Sequence, residues 1–242
     1  MEKLKQILVI FATAIVIFIN YAASKGYIGG ITPQVISEKY PTVVTPAGYA
    51  FAIWGVIYTG LIVFGIFQAM PMQLENFRKI RTPFLISCLA NCVWIYVWHH
   101  ELMVASVFAM LVLLASMIAI NVNLSVKDSL IARIPLGIYF GWICVATIAN
   151  VSICFSYLGM ETTKPTAILL TCILIVIATI IGIVMRFKLP NAAFAFTIAW
   201  AILAIAIKNG SIGAISGVSA FSFMALLIAA LLPFIRLKDA KN

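Results

Sequence analysis

Thr45-Pro46-Ala47-Gly48-Tyr49-Ala50-Phe51-Ala52-Ile53-Trp54-Gly55-Val56-Ile57-Tyr58 opens on turn residues and runs without a break into apolar sequence. Pro46 and Gly48 suit a helix entry. Phe51, Trp54 and Tyr58 stand at i, i+3 and i+7 and share a helical face, while Tyr49 and Phe51 do not share one. An aromatic stripe at the head of an apolar helix is either a belt at a membrane surface or one wall of a site.

The same apolar texture extends in both directions. The chain is 64% hydrophobic and 10% charged over 242 residues, with a mean hydropathy of +1.14. Soluble domains are about one quarter charged, so this is a polytopic membrane protein. Eight runs are long enough to cross about 30 Å of hydrocarbon. They are Ile7–Ser24, Pro46–Met70, Pro83–His99, Leu102–Asn123, Ile134–Gly159, Pro165–Met185, Pro190–Ile207 and Ile212–Ile235. Their length and continuity predict helices rather than barrel strands. The expected fold class is all-α, a transmembrane bundle of about eight helices. The first run, preceded by Lys3 and Lys5, reads as a retained helix rather than a cleaved signal, because Asn20–Ser24 makes a weak cleavage site.

Basic residues orient the spans. With the N-terminus cytoplasmic, 12 of 16 fall in inside segments, including all five arginines: Arg78, Arg81, Arg133, Arg186 and Arg236. The outside segments hold Lys25, Lys39, Lys164 and Lys208. This asymmetry predicts an N-in, C-in topology and suits a bacterial plasma membrane. The net charge of +9 reports topology and anionic headgroups rather than nucleic acid. The bilayer is the expected partner, together with a small hydrophobic ligand.

Lys25–Thr45, the first outer segment, contains Gly26, Gly29, Gly30, Pro33 and Pro41, with Tyr27 and Tyr40. A loop this long with its own aromatics is disordered or a lid, and its direct entry into the opening stretch favours a lid.

No Asp, Glu, Lys or Arg lies within the eight runs, which weighs against a proton- or ion-coupled pump. Asn20, Gln68, Asn91, Asn121 and Asn150, with Thr147, Ser152, Thr171 and Thr179, supply neutral polarity suited to interhelical hydrogen bonds. Asn91 precedes Trp94 by three, and Trp142, Ala146 and Asn150 follow one stripe. An aromatic plate beside an amide in a neutral cavity suits a flat hydrophobic ligand with polar edges.

Other chemistry is weaker. Cys88, Cys92, Cys144, Cys154 and Cys172 all fall in apolar runs, so neither a disulfide framework nor a metal site is expected. His99, His100 and Glu101 read as a polar hairpin cap before a haem or metal contact. Gly213-x-x-x-Gly217 is a small-residue packing motif, for a contact within the chain or in a homodimer. No carboxylate pair, nucleophile–base constellation or phosphate loop supports ordinary catalysis.

These motifs together resemble the TspO/MBR family, the tryptophan-rich sensory proteins that include the translocator protein. The family's second helix opens with Pro-Gly-Trp-x-Phe and continues to Trp-x-x-x-Tyr; here it reads Pro46, Gly48, Tyr49, Phe51, Trp54 and Tyr58. Its third helix carries Asn-x-x-Trp, matched by Asn91 and Trp94. Its fifth carries Pro, then Trp-x-x-x-Ala-x-x-x-Asn, matched by Pro135, Trp142, Ala146 and Asn150. Tyr49 stands where the family has Trp, the Phe51–Trp54 spacing is one shorter, and Pro135 lies farther from Trp142. Family members have five helices, so the resemblance implies a five-helix ligand-binding bundle over 1–160 and a three-helix extension over 161–242.

The resemblance also implies a pocket under the first loop for tetrapyrroles (protoporphyrin or haem) and, in some members, sterols. A bound porphyrin or haem is thus the expected small molecule, with no cofactor required. The candidate ligand-binding residues are Tyr49, Phe51, Trp54, Tyr58, Asn91, Trp94, Trp142, Ala146 and Asn150. The expected role is sensing, sequestration or handling; the alternatives are a transporter or flippase of a lipophilic solute, and a membrane enzyme acting on isoprenoids or pigments. The segment from Pro190 to Trp200 weakly echoes Pro46 to Trp54, as an inverted transporter repeat would.

Overall fold

The computed structural model describes residues 1–124, 129–160, 163–189 and 191–239, with side chains described through 232. Lys127, Pro190 and Lys241, on which parts of the topology and repeat readings rest, lie outside the described residues.

The described elements are helical. They are α1 (Glu2–Ser24), α2 (Pro33–Lys39), α3 (Ile53–Gln68) entered through a 3-10 turn (Gly48–Ala52), α4 (Arg78–His99), α5 (Met103–Asn123), α6 (Leu130–Tyr157), α7 (Lys164–Lys188), α8 (Ala192–Lys208) and α9 (Gly213–Asp239). Seven stretches are long and apolar enough to cross a membrane, and α8 is a shorter apolar helix of 17 residues. Each predicted run therefore corresponds to a helix. Large apolar side chains such as Phe18, Leu89, Phe108, Leu169 and Phe221 cover the outside of the bundle. Hydrocarbon requires that of a helix surface and water would penalise it. The molecule is a polytopic transmembrane helix bundle.

α8 is short because it is interior. Phe194, Ala195, Ile198, Ala199, Ala201, Ile202, Ala204 and Ile205 are all buried, and a helix that is apolar all round belongs in a core. It packs on α6, α7 and α9. Glycines on α6 permit the close approach. A Cβ on Gly141 would lie 2.8 Å from the Thr197 Cβ and 2.9 Å from the Phe194 carbonyl oxygen, and one on Gly137 would collide with Asn191. Gly60 meets Pro135 in the same manner between α3 and α6.

Three expectations change. First, α9 packs within the chain on α7 and α8, but not through its own glycines: a Cβ on Gly213 or Gly217 would meet nothing within 4 Å, whereas one on Gly182 of α7 would lie 2.5 Å from Leu226 Cδ2 of α9. Close glycine contacts also sit on α6, in Gly137-x-x-x-Gly141. Second, α4 begins at Arg78 rather than Pro83, so its first turn carries charge into the helix. Arg81 is fully buried because its donors are met by the Leu74 carbonyl at 2.6 Å, the Gln73 carbonyl at 2.7 Å, Gln68 Oε1 at 3.0 Å and Glu2 Oε2 at 3.3 Å. Arg186, near the end of α7, is also buried and reaches the Ala230 carbonyl. Third, the amides and hydroxyls part company. Asn20 donates to Asn91, Asn91 to Tyr139, Gln68 to the Gln6 carbonyl, Asn121 to the Leu136 carbonyl and Asn150 to Ser106, all between helices. Thr147, Ser152, Thr171 and Thr179 instead donate to the carbonyl four residues back in their own helices. A short hydroxyl reaches its own preceding turn before it reaches a neighbour.

Candidate functional site

α6 supplies one wall. Trp142, Val145, Ala146, Ala149, Asn150 and Ile153 fall at i, i+3, i+4, i+7, i+8 and i+11, a single helical stripe, and all line one cavity. Ala146 and Ala149 are small, which leaves room beside the indole of Trp142. α4 supplies the opposite plate: Trp94 and Trp98, four apart, stack with ring centroids 5.4 Å apart and planes 27° apart. From the opening stretch come Phe51 and Trp54, both edge-on to Trp142 at 5.9 and 6.3 Å.

The roof is the segment between α1 and α3, and it is an ordered lid. Gly26, Gly29 and Gly30 adopt φ of 72°, 67° and 76°, reversing the chain after α1 where a Cβ would be strained. Thr32 caps α2 by accepting from the Val35 N–H, with Pro33 in the first turn. Pro33, Ser37, Thr45 and Pro46 line the cavity, which together with the open space at its mouth comes to about 490 Å³ of non-atom space.

Two anchors hold this roof. On one side, the Trp98 indole donates to the Pro33 carbonyl at 3.2 Å, and Lys39 Nζ lies 2.6 Å from both Glu101 oxygens. The Tyr40 hydroxyl also donates to Glu101. Glu101 sits in the tight α4–α5 turn at φ 53°. Its hydrogen bonds from Lys39 and Tyr40 hold its carboxyl below the usual range, and Glu101 in turn holds Lys39 and Tyr40 above theirs. On the other side stands the α8–α9 corner. Lys208 Nζ donates to the Thr42 and Thr45 carbonyls, Asn209 to the Val43 carbonyl, the Ala47 N–H to the Ala204 carbonyl and the Trp200 indole to the Ala50 carbonyl. The rim thus rests on residues after 160 as well as before it.

Six of the nine candidate residues come together at the cavity: Phe51, Trp54, Trp94, Trp142, Ala146 and Asn150. Three do not line it. Tyr49 is 42% exposed and packs edge-on against Trp200 outside the rim. Tyr58 stacks behind Trp54 at 5.4 Å. Asn91, fully buried, is spent on Asn20 and Tyr139. Trp98 is absent from the nine candidates, and the lid is expected only as a segment, without a cavity-facing residue assigned in it. The spacing of four from Trp94 to Trp98 carried a signal for the first, whereas only tertiary structure places the second.

Three polar atoms of the lining residues have no hydrogen-bond partner among the described residues: Trp94 Nε1, Trp142 Nε1 and Asn150 Oδ1. Their residues are 8%, 3% and 2% exposed. His99 and His100 use Nδ1 on the carbonyls of Ile95 and Tyr96 within their own helix, as a hairpin cap would. Among the described residues no group of three His, Cys, Asp or Glu side chains could hold a metal ion.

The family model described as TSPO-like protein matches residues 6–234. That match covers nearly the whole chain, and the chain belongs to this family. It runs through the helices after residue 160, which comparison with five-helix members had left without a counterpart. No significant match was found among curated proteins or among solved structures.

Proposed function

We propose that this member of the TSPO-like family binds a flat hydrophobic ligand, a tetrapyrrole in the first instance, in the cavity beneath α2, and that it senses, sequesters or hands on that ligand. One observation carries the reading: four indoles, Trp54, Trp94, Trp98 and Trp142, wall a single roofed cavity. Aromatic faces stack on a conjugated ring at about 0.5–1.5 kcal/mol per pair beyond area burial. The lining residues carry no carboxylate or basic side chain, so the site offers binding and orientation rather than proton transfer. With the arginine-rich end cytoplasmic, the lid faces the outer side of a plasma membrane.

Protoporphyrin titration tests the reading. Tryptophan fluorescence should fall saturably, and Trp54→Ala or Trp142→Ala should weaken the apparent affinity by about tenfold, the loss of one stacked contact plus its buried area. Unchanged affinity in both variants would refute the assignment.

A further inference from the structure

We infer that flat apolar molecules reach this cavity sideways from the lid-side leaflet of the bilayer, through a seam between α1 and α3 and over the Trp54–Tyr58 stack, while the lid stays tethered. This rests on the reading of the cavity as a flat-ligand site and supplies its route of entry.

Contacts between neighbouring helices close the other sides. α3 meets α6 through Gly60 against Pro135 and through Phe51 and Trp54 against Trp142. α6 meets α5 where Asn150 donates to Ser106, and α5 packs along α4. α4 meets α1 where Asn20 donates to Asn91. The seam from α1 to α3 is the remaining side. Its hydrogen bonds among the described residues lie at the end away from the lid: Gln6 donates to the Gln68 and Met70 carbonyls, and Gln68 donates to the Gln6 carbonyl. Farther along, a Cβ on Gly65 would lie 3.6 Å from Thr13 Oγ1.

Burial records how the two helices part. On α3, Gln68, Gly65, Leu61, Tyr58 and Trp54 follow one helical stripe. The first three are buried, whereas Tyr58 and Trp54 are partly exposed. On α1, Gln6, Thr13, Ile17 and Ser24 follow the matching stripe. Gln6 and Thr13 are buried, Ile17 is partly exposed and Ser24 is exposed. Two faces that touch at one end thus lose cover together toward the lid, as splayed helices do. Trp54 lines the cavity and Tyr58 does not, yet their rings stack at 5.4 Å with planes 18° apart. The stack therefore leads from the cavity wall to the bilayer-facing surface, a flat sill for another aromatic ring.

The mouth is shut by comparison. Trp98 and Glu101 hold the lid on one side, and Lys208 and Asn209 hold it on the other. Apolar surface leaves water for hydrocarbon, so a lateral route never returns the ligand to water. Loss of a tether opens the mouth as a second route.

The test follows pyrene exchange by stopped-flow fluorescence in the full chain reconstituted in lipid nanodiscs, after saturable binding is established. Carbodiimide joins Lys39 to Glu101 as an amide, because Lys39 Nζ lies 2.6 Å from the carboxylate, and peptide mass spectrometry verifies the bond. The locked protein should take up and release pyrene within about twofold of the untreated rates. Ile17→Trp fills the seam from the α1 side and lies outside the cavity lining. It should slow uptake and release alike by about tenfold and leave the equilibrium affinity within about twofold, as a raised barrier common to both directions requires. Exchange that stops in the locked protein places the route at the mouth and overturns the seam, with the cavity reading intact. Unchanged rates in Ile17→Trp, or an affinity lost in step with slower uptake, overturn it too. The locked chain carries no substitution, so that arm decides if Ile17→Trp fails to fold. If pyrene does not bind saturably, the cavity reading falls and the seam with it.

Discussion

Asn91 and Asn150 show how one residue type divides between holding a fold and facing a site. Both are amides on tryptophan-bearing helices, and both are buried. Asn91 uses its oxygen on Asn20 and its nitrogen on Tyr139, whereas Asn150 uses its nitrogen on Ser106 and its oxygen meets no partner among the described residues. Asn91→Leu is accordingly expected to lower unfolding stability by about 1–3 kcal/mol, since a buried Tyr139 hydroxyl loses its partner. Protoporphyrin affinity should stay within about twofold, less than a 0.5 kcal/mol change. Thermal unfolding and titration of the same preparation check this; a lost affinity at unchanged stability would return Asn91 to the ligand. Periodicity made the Trp142–Ala146–Asn150 stripe legible from sequence, because a helix fixes which residues share a face. It could not show that Asn91 and Tyr58 turn toward other helices, because phase does not say which neighbour a face meets. Tyr49 stands outside the rim against Trp200, so the Tyr in place of the family's Trp falls away from the cavity.

Among the elements, α2 and α8 decide whether the cavity is closed. The Lys39–Tyr40–Glu101 tether gives the lid a definite pH dependence. The Glu101 value is depressed on folding, so its contribution is present above the unfolded carboxylate value of about 4.3 and is lost as pH falls through the folded value. Lys39 and Tyr40 are raised, so theirs is complete below the unfolded values of about 10.4 and about 10 and is lost as pH rises through the folded values. Release of a non-titrating flat probe such as pyrene should be constant from about pH 5 to about pH 9 and accelerate on either side. Glu101→Gln should release faster at neutral pH and lose the acid limb, as stopped-flow fluorescence would report; an unaltered acid limb would place the tether elsewhere. The closeness of α6 and α8 makes a second prediction. Gly141→Ala, whose Cβ would sit 2.9 Å from a backbone oxygen, should destabilise by about 1–3 kcal/mol as overpacking does. Gly217→Ala, with open space around it, should gain about 0.5–1 kcal/mol from helix propensity. Of the two small-residue motifs, sequence alone drew attention to the one on α9, since both have the same spacing and only the packed structure shows which one another helix occupies.

At the scale of the whole molecule, the helices after residue 160 hold the rim of a cavity whose walls come from before it. α8 is readable as an apolar helix, yet its central position follows from its small side chains and from the glycines of α6, a match between distant segments that no local pattern displays. Removing the chain after residue 160 would take away Trp200, Lys208 and Asn209 together with the Ala204 carbonyl. Such a truncated chain is expected to retain helix but to lose saturable protoporphyrin binding; full retention would show that the rim stands without α8. The account comes to its most direct test in a structure of the full chain solved with protoporphyrin. It predicts the macrocycle beneath α2, between the Trp94–Trp98 pair and the Trp54–Trp142 wall, with its acidic groups toward the mouth. A macrocycle bound on the lipid-facing surface or between two copies, with the cavity under α2 empty, would contradict it.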